Sequence, residues 1–171
     1  REAALVAKQA AEVDVLSGGR LVLGVGLGWN YVEYEILNRN FHDRGRRIEE
    51  QVAVMRALWT QQSVDFQGRW HHVTAAGLNP LPIQRPIPVW FGGQADPVLR
   101  RIARIGDGWF PSSSNDAALP EVFERLRSYT REAGRDPASV GISGRISAVV
   151  HDPETWVRRA RMWRDLGCSS A

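Results

Sequence analysis

The sequence predicts an α/β protein built on a parallel sheet, either open or closed into a barrel. Two observations carry that expectation. Short strand-like apolar runs alternate with segments of helical periodicity, the pattern of strands joined by crossover helices. Glycines also gather directly after two of those runs, at Gly24, Gly26 and Gly28 and again at Gly92-Gly93, and strand ends are where such sheets place their ligands.

The elements follow in order. Residues 2–16 set Leu5, Val6, Ala10, Val13 and Leu16 at helical spacing, with Gly18-Gly19 as the stop. Arg20–Gly26 reads as a strand, and Asn30 reads as the N-cap of a short helix over YVEYEIL. Arg44–Gln61 has the clearest helical period, since Ile48, Val52, Met55 and Trp59 fall at i, i+4, i+7 and i+11. SVDFQGRWHHV, residues 63–73, places Gln67-Gly68 between two β-prone runs and predicts a hairpin. Four prolines in NPLPIQRPIP, residues 79–88, exclude helix and predict an extended surface connection. Pro88–Phe91 is then a strand, with Asp96 as N-cap and Pro97 as first residue of a helix running to Ile105. Gly108–Phe110 and Val140–Val150 read as strands around a helix over Ala117–Ala133. A last helix over residues 154–166 puts Trp156, Ala160 and Trp163 on one face and stops at Gly167. The chain starts inside one helix and finishes just past another, so residues 1–171 are expected to form a single, partial domain from the interior of a longer α/β chain.

Composition narrows the function classes. An apolar fraction of 43% and a charged fraction of 24% are those of an ordinary globular protein, and a net charge of +3 argues against nucleic acid as a partner. Cys168 is the one cysteine, which rules out an internal disulfide framework and a cysteine-based metal cluster and predicts a cytoplasmic setting. The first residues lack a signal-peptide core, and no run approaches the roughly eighteen apolar residues of a membrane span.

The glycine clusters carry the chemistry. Gly24, Gly26 and Gly28 are spaced G-x-G-x-G, not the G-x-G-x-x-G of a dinucleotide fingerprint, and no Walker lysine follows any glycine loop. Gly92-Gly93 precedes a helix start, where unpaired N–H groups and the helix dipole favour a phosphate. Each cluster alone also reads as a tight strand-to-helix turn, but two at strand ends of one sheet suit a single elongated phosphate-bearing ligand. The remaining candidates are weaker. His71 and His72 point to opposite faces of a strand and cannot chelate one metal together, and His42 and His151 stand alone. Arg44, Arg46, Arg47, Glu49 and Glu50 read as a solvated face with local ion pairs. Trp29 and Trp109 lie beside strand-end glycines, where they either line a flat ring system or pack the core. Cys168 has no partner base, and no Ser-His-Asp set or carboxylate pair can be read from spacing, so the chemistry is expected to come from a cofactor.

AKQAAEVDVLSGGRLVLGVGLGWNYVEYE, FHDRGRRIEEQVAVMRALW and PIPVWFGGQADPVLRRIARIGDGWFP closely resemble the luciferase-like monooxygenase superfamily, above all its deazaflavin (coenzyme F420)-dependent oxidoreductases. The resemblance implies a (β/α)8 TIM barrel, here incomplete, covering about strands four to seven with their helices. It implies hydride transfer between F420 and a small organic substrate, with an FMN-dependent monooxygenase or a truncated, non-catalytic cofactor-binding paralogue as alternatives. By the same resemblance Val25, Gly26 and Asn30 contact the cofactor, and Gly92, Gly93, Ala95 and Asp96 hold its phosphate. Many relatives carry a hydroxyl residue where this chain has Ala95, which leaves the phosphate to backbone amides. Leu27 stands where the sugar-phosphate dehydrogenase branch has a glutamate proton donor, which argues against that substrate. An incomplete barrel exposes two strand edges, so a homo-oligomer is expected.

Overall fold

The computed structural model describes residues 1–111, 116–146 and 152–168. These form two compact units. The first comprises Arg1–Leu23 and Leu27–Val89, and the second Gly24–Gly26 and Trp90–Ala171.

In the first unit, α1 (Ala3–Leu16) packs on α3 (Arg44–Thr60). The buried face of α1 is the small-residue stripe Ala3, Ala7, Ala10, Ala11 and Asp14; Leu5, Val13 and Leu16, expected inside, are exposed. Alanines bring the two helices close enough for the indole N–H of Trp59 to donate to the Ala7 carbonyl at 2.9 Å. Val52, Met55 and Trp59 are buried as the period of α3 predicts, joined by Val54 and Leu58. Between these helices in sequence lies α2 (Tyr31–Ile36), capped by Asn30, whose side-chain oxygen accepts from the Val32 N–H at 3.2 Å.

The expected hairpin is β2 (Val64–Gln67) paired antiparallel with β3 (His72–Ala76). Its turn is fixed from α3. Glu50 accepts from the backbone N–H groups of Arg69 (2.8 Å), Trp70 (2.8 Å) and His71 (2.7 Å), and pairs with His71 Nδ1 at 2.8 Å. Glu50 is therefore no solvated ion-pair residue, because three amides of the turn would otherwise lack partners. Its carboxyl sits below the usual range: burial acts to raise it, and the bonds from His71, Trp70 and Arg69 outweigh burial. Asp14, fully buried, plays the same part for the proline-rich connection. It accepts from Gln84 N (2.9 Å) and Gln84 Nε2 (2.7 Å), and these bonds overcome burial to lower its pKa.

The second unit is built on a four-stranded sheet of order β1 (Leu23–Val25), β4 (Val89–Gly92), β5 (Gly108–Phe110), β6 (Gly141–Ile142). The β4–β5 and β5–β6 pairs are parallel, in a register that aligns Trp90 with Gly108 and Gly108 with Gly141. α4 (Asp96–Ile105) connects β4 to β5, and α5 (Leu119–Glu132), preceded by a short 3₁₀ turn, leads from β5 toward β6. α6 (Pro153–Asp165) follows. The strand expected over Arg20–Gly26 is confined to Leu23–Val25. Of the strand expected over Val140–Val150, only Gly141–Ile142 forms within the described residues; residues 147–150 and His151 lie outside them. On α6, Trp163 is buried as expected, whereas Ala160 is exposed.

Side chains alternate across a strand, so the sheet has two faces. Val89, Phe91, Trp109 and Ile142 make one, and all are buried. Trp109 packs edge-on against Phe123 of α5, ring centres 5.1 Å apart, and Phe123 lies 6.4 Å from Trp163 of α6. The other face carries Gly24, Trp90, Gly92, Gly108, Phe110 and Gly141, and its two aromatic rings lie 5.1 Å apart.

Candidate functional site

The glycines of that second face divide into two kinds. A Cβ at Gly108 would lie 2.1 Å from the Trp90 ring, and one at Gly141 2.6 Å from it, so both are glycine because the indole occupies their space. At Gly92, and at Gly26 just past β1, a Cβ would meet no atom of the described residues within 4 Å. Packing among the described residues does not demand glycine at either position, and it leaves the backbone uncovered by their side chains at the end of two neighbouring strands.

Beyond Gly92 the chain turns sharply. Gly93 has φ +109°, a conformation that L side chains rarely adopt. The buried Trp109 donates its indole N–H to the Gly93 carbonyl at 2.6 Å. α4 then begins with Ala95 as its N-cap and no side-chain cap bond. The expectation that Asp96 caps this helix is corrected: Asp96 is its first residue, and its carboxylate turns to α5, accepting from Arg125 Nη1 at 3.0 Å and the Tyr129 hydroxyl at 3.2 Å. Two cationic and hydroxyl donors on α5 outcompete the local amides. As a result the first turn of α4 offers backbone N–H groups with no side-chain acceptor over them, and the nearby negative charge is paired with an arginine.

The predicted residues Gly92, Gly93, Ala95 and Asp96 thus fall together at the β4–α4 turn, Val25 belongs to β1, the neighbouring strand, and Gly26 directly follows it. Val25 is half-buried, its side chain directed by strand alternation to the face opposite Gly24. Asn30 belongs to the first compact unit, where it caps α2. Leu27 contributes its carbonyl, which accepts from the Tyr34 hydroxyl. Trp29 is 87% exposed, while Trp109 packs in the core and is not a ring-lining side chain. Arg44 stacks over Phe41 at 3.6 Å and Arg47 pairs with Asp43 at 3.1 Å. Among the described residues no three His, Cys, Asp or Glu side chains gather as a metal site. Burial pushes the Cys168 thiol up to about 11, away from nucleophilic use.

The roles of Glu50, Asp14 and Trp109 as anchors of backbone were not read from the sequence. Asp14 left a signal, since it continues the Ala7, Ala10, Ala11 stripe at helical spacing. The Trp109 donor left none.

A parallel α/β sheet with glycines at its strand ends, packed by helices on one face, defines a class, and comparison with known proteins names it. The chain belongs to the luciferase-like monooxygenase family, whose profile matches residues 1–167. It is similar to the F420-dependent hydroxymycolic acid dehydrogenase of Mycobacterium tuberculosis, 30% identical over 165 residues, or 94% of this chain and 45% of that protein. It is also 30% identical over 149 residues to the FMNH2-dependent dimethylsulfone monooxygenase of Pseudomonas putida, covering 85% of this chain and 41% of that one. Among solved structures it resembles an F420-dependent secondary alcohol dehydrogenase in complex with an F420–acetone adduct, with TM-score 0.72 and 25% identity over 83% of this chain and 44% of that one. The α/β fold is thereby similar to luciferase-like TIM barrels, and the chain spans about half the length of the curated relatives it matches. These relatives are F420- or FMN-dependent oxidoreductases and monooxygenases. Among the described residues no helix is long and apolar enough to cross a membrane.

Proposed function

We propose that this chain supplies the phosphate-holding part of the cofactor site in an F420-dependent oxidoreductase acting on a small organic substrate. The observation that carries the reading is the open backbone at Gly92, where a Cβ would touch no atom of the described residues, beside an α4 N-terminus without a side-chain cap. A phosphate needs donors and close approach to the chain. The amides from Gly93 to Asp96 provide the donors, and Gly92 and Gly26 provide the approach. Ala95 adds no hydroxyl, so the hold is by backbone, and Arg125 keeps the Asp96 charge from opposing an anion.

Trp90 and Phe110, the large side chains among the strand residues of the glycine face, give it an apolar surface, rings 5.1 Å apart, on which a flat ring system can rest. A bound deazaflavin would supply the hydride donor or acceptor; this chain's residues bind and orient it. F420 is preferred because both the hydroxymycolic acid dehydrogenase relative and the secondary alcohol dehydrogenase structure carry F420 in their names. The equal identity to an FMNH2-dependent monooxygenase supports FMN as the second reading.

Fluorescence titration of the purified protein with F420 and, separately, FMN tests the choice. The expected result is saturable binding of F420 in preference to FMN. Tight FMN binding with none of F420 would replace the first reading by the second.

A further inference from the structure

We infer that Trp109 is a positioning residue for the phosphate, acting through the Gly93–Gln94 peptide; this rests on the phosphate reading of the β4–α4 turn. Trp109 lies on β5 beside Phe91 in register, on the buried face of the sheet, and is fully buried. A buried indole N–H needs an acceptor. Trp109 takes the Gly93 carbonyl, one residue past the end of β4, at 2.6 Å. Its ring is held from the other side by Phe123. The donor therefore has a fixed place, and so does the carbonyl it holds.

The consequence follows from peptide planarity. The Gly93–Gln94 bond is trans, and in a trans peptide the C=O and the following N–H point in opposite directions. With the Gly93 carbonyl drawn toward the helix-packed face, the Gln94 N–H points away from it. That is the side on which Gly92 leaves open room, because Gly92 and Phe91 alternate across β4. Gly93, with no Cβ, restricts the orientation of the following peptide less than any other residue does. The bond from Trp109 fixes that orientation, so the amide is aimed before the anion arrives.

The test uses a difference that packing alone does not produce. Trp109→Phe keeps a ring against Phe123 and deletes the donor. Affinities of wild type and variant are measured for FMN and riboflavin, and for F420 and its phosphate-free deazaflavin riboside. Wild type is expected to prefer the phosphate-bearing partner of at least one pair, and Trp109→Phe to lose about tenfold of that preference, the scale of one hydrogen bond to a charged group, while binding of the phosphate-free ring is unchanged. A tryptophan isostere with sulfur in place of the ring N–H serves where Trp109→Phe does not fold, and the same loss is expected. A variant that keeps the full phosphate preference overturns the role of Trp109 and leaves the site reading standing. Wild type with no phosphate preference in either pair overturns both.

Discussion

Two turns of the chain carry clustered backbone N–H groups, and they differ in what stands over them. At residues 69–71 the amides of Arg69, Trp70 and His71 converge on the Glu50 carboxylate, a charge supplied by α3. At residues 92–96 the one carboxylate in the turn, Asp96, faces α5 instead, and the space beside Gly92 is open. The first cradle is closed by the protein and contributes to stability. At the second, no side-chain cap closes the start of α4, and that is the turn we propose to be the binding site. The glycines repeat the contrast, since Gly108 and Gly141 make way for Trp90 whereas Gly92 makes way for none of the described residues.

The largest effect is expected where the protein fills its own space. Gly108→Ala drives a Cβ into the Trp90 ring, and overpacking of this kind costs about 3 kcal/mol in chemical denaturation. Gly108→Ala combined with Trp90→Leu should recover most of that loss; no recovery would mean that Trp90 is not what makes Gly108 necessary.

Glu50→Gln comes next. It replaces a carboxylate oxygen by an amide donor facing other donors, at a cost of about 2 kcal/mol. Acid should narrow the gap between wild type and variant. Because the folded pKa of Glu50 is lowered, its stabilisation is complete above the ordinary glutamate value of about 4.3 and disappears as pH falls through the lower folded value. Urea denaturation of both proteins from pH 7 to pH 2.5 reads this directly, and a gap constant to the lowest pH would contradict it.

Gly92→Ala separates the two cradles. Its Cβ meets no atom of the described residues and its φ is not in the left-handed region, so stability should stay within about 0.5 kcal/mol. Cofactor affinity should nevertheless fall about tenfold, or about 1.4 kcal/mol, measured by fluorescence titration. A stability loss without a binding loss would make Gly92 another packing glycine.

Asn30 gives the smallest effect. Asn30→Ala deletes the cap of α2 and should cost about 1 kcal/mol in thermal unfolding, while Asn30→Asp retains the cap. Cofactor affinity unchanged in Asn30→Asp would make capping its whole role.

The parts legible in the sequence were those that depend on local rules. Gly108–Phe110 is a strand with those bounds, the period of α3 buries Val52, Met55 and Trp59, and Asn30 caps α2. What failed depended on partners distant in sequence. The α1 face was misread because hydrophobicity ranked Leu5 and Leu16 above the alanines, while close packing against α3 selects small residues. Asp96 was misread as a cap because Arg125 and Tyr129, far along the chain, claim its carboxylate. The candidate site was legible as a pair of glycine clusters after strands. Which glycines are filled and which are open was not, because the letter is the same at Gly92 and Gly108 and only the Trp90 ring distinguishes them.

We propose that the backbone amides from Gly93 to Asp96 receive a cofactor phosphate. Amide ¹H–¹⁵N shifts of the labelled protein, followed during titration with F420 and with FMN, test it residue by residue. The account predicts the largest changes at Gly93, Gln94, Ala95 and Asp96, with the amides of Arg69, Trp70 and His71 unmoved because Glu50 already holds them. Saturable binding that leaves Gly93 to Asp96 unshifted would contradict it.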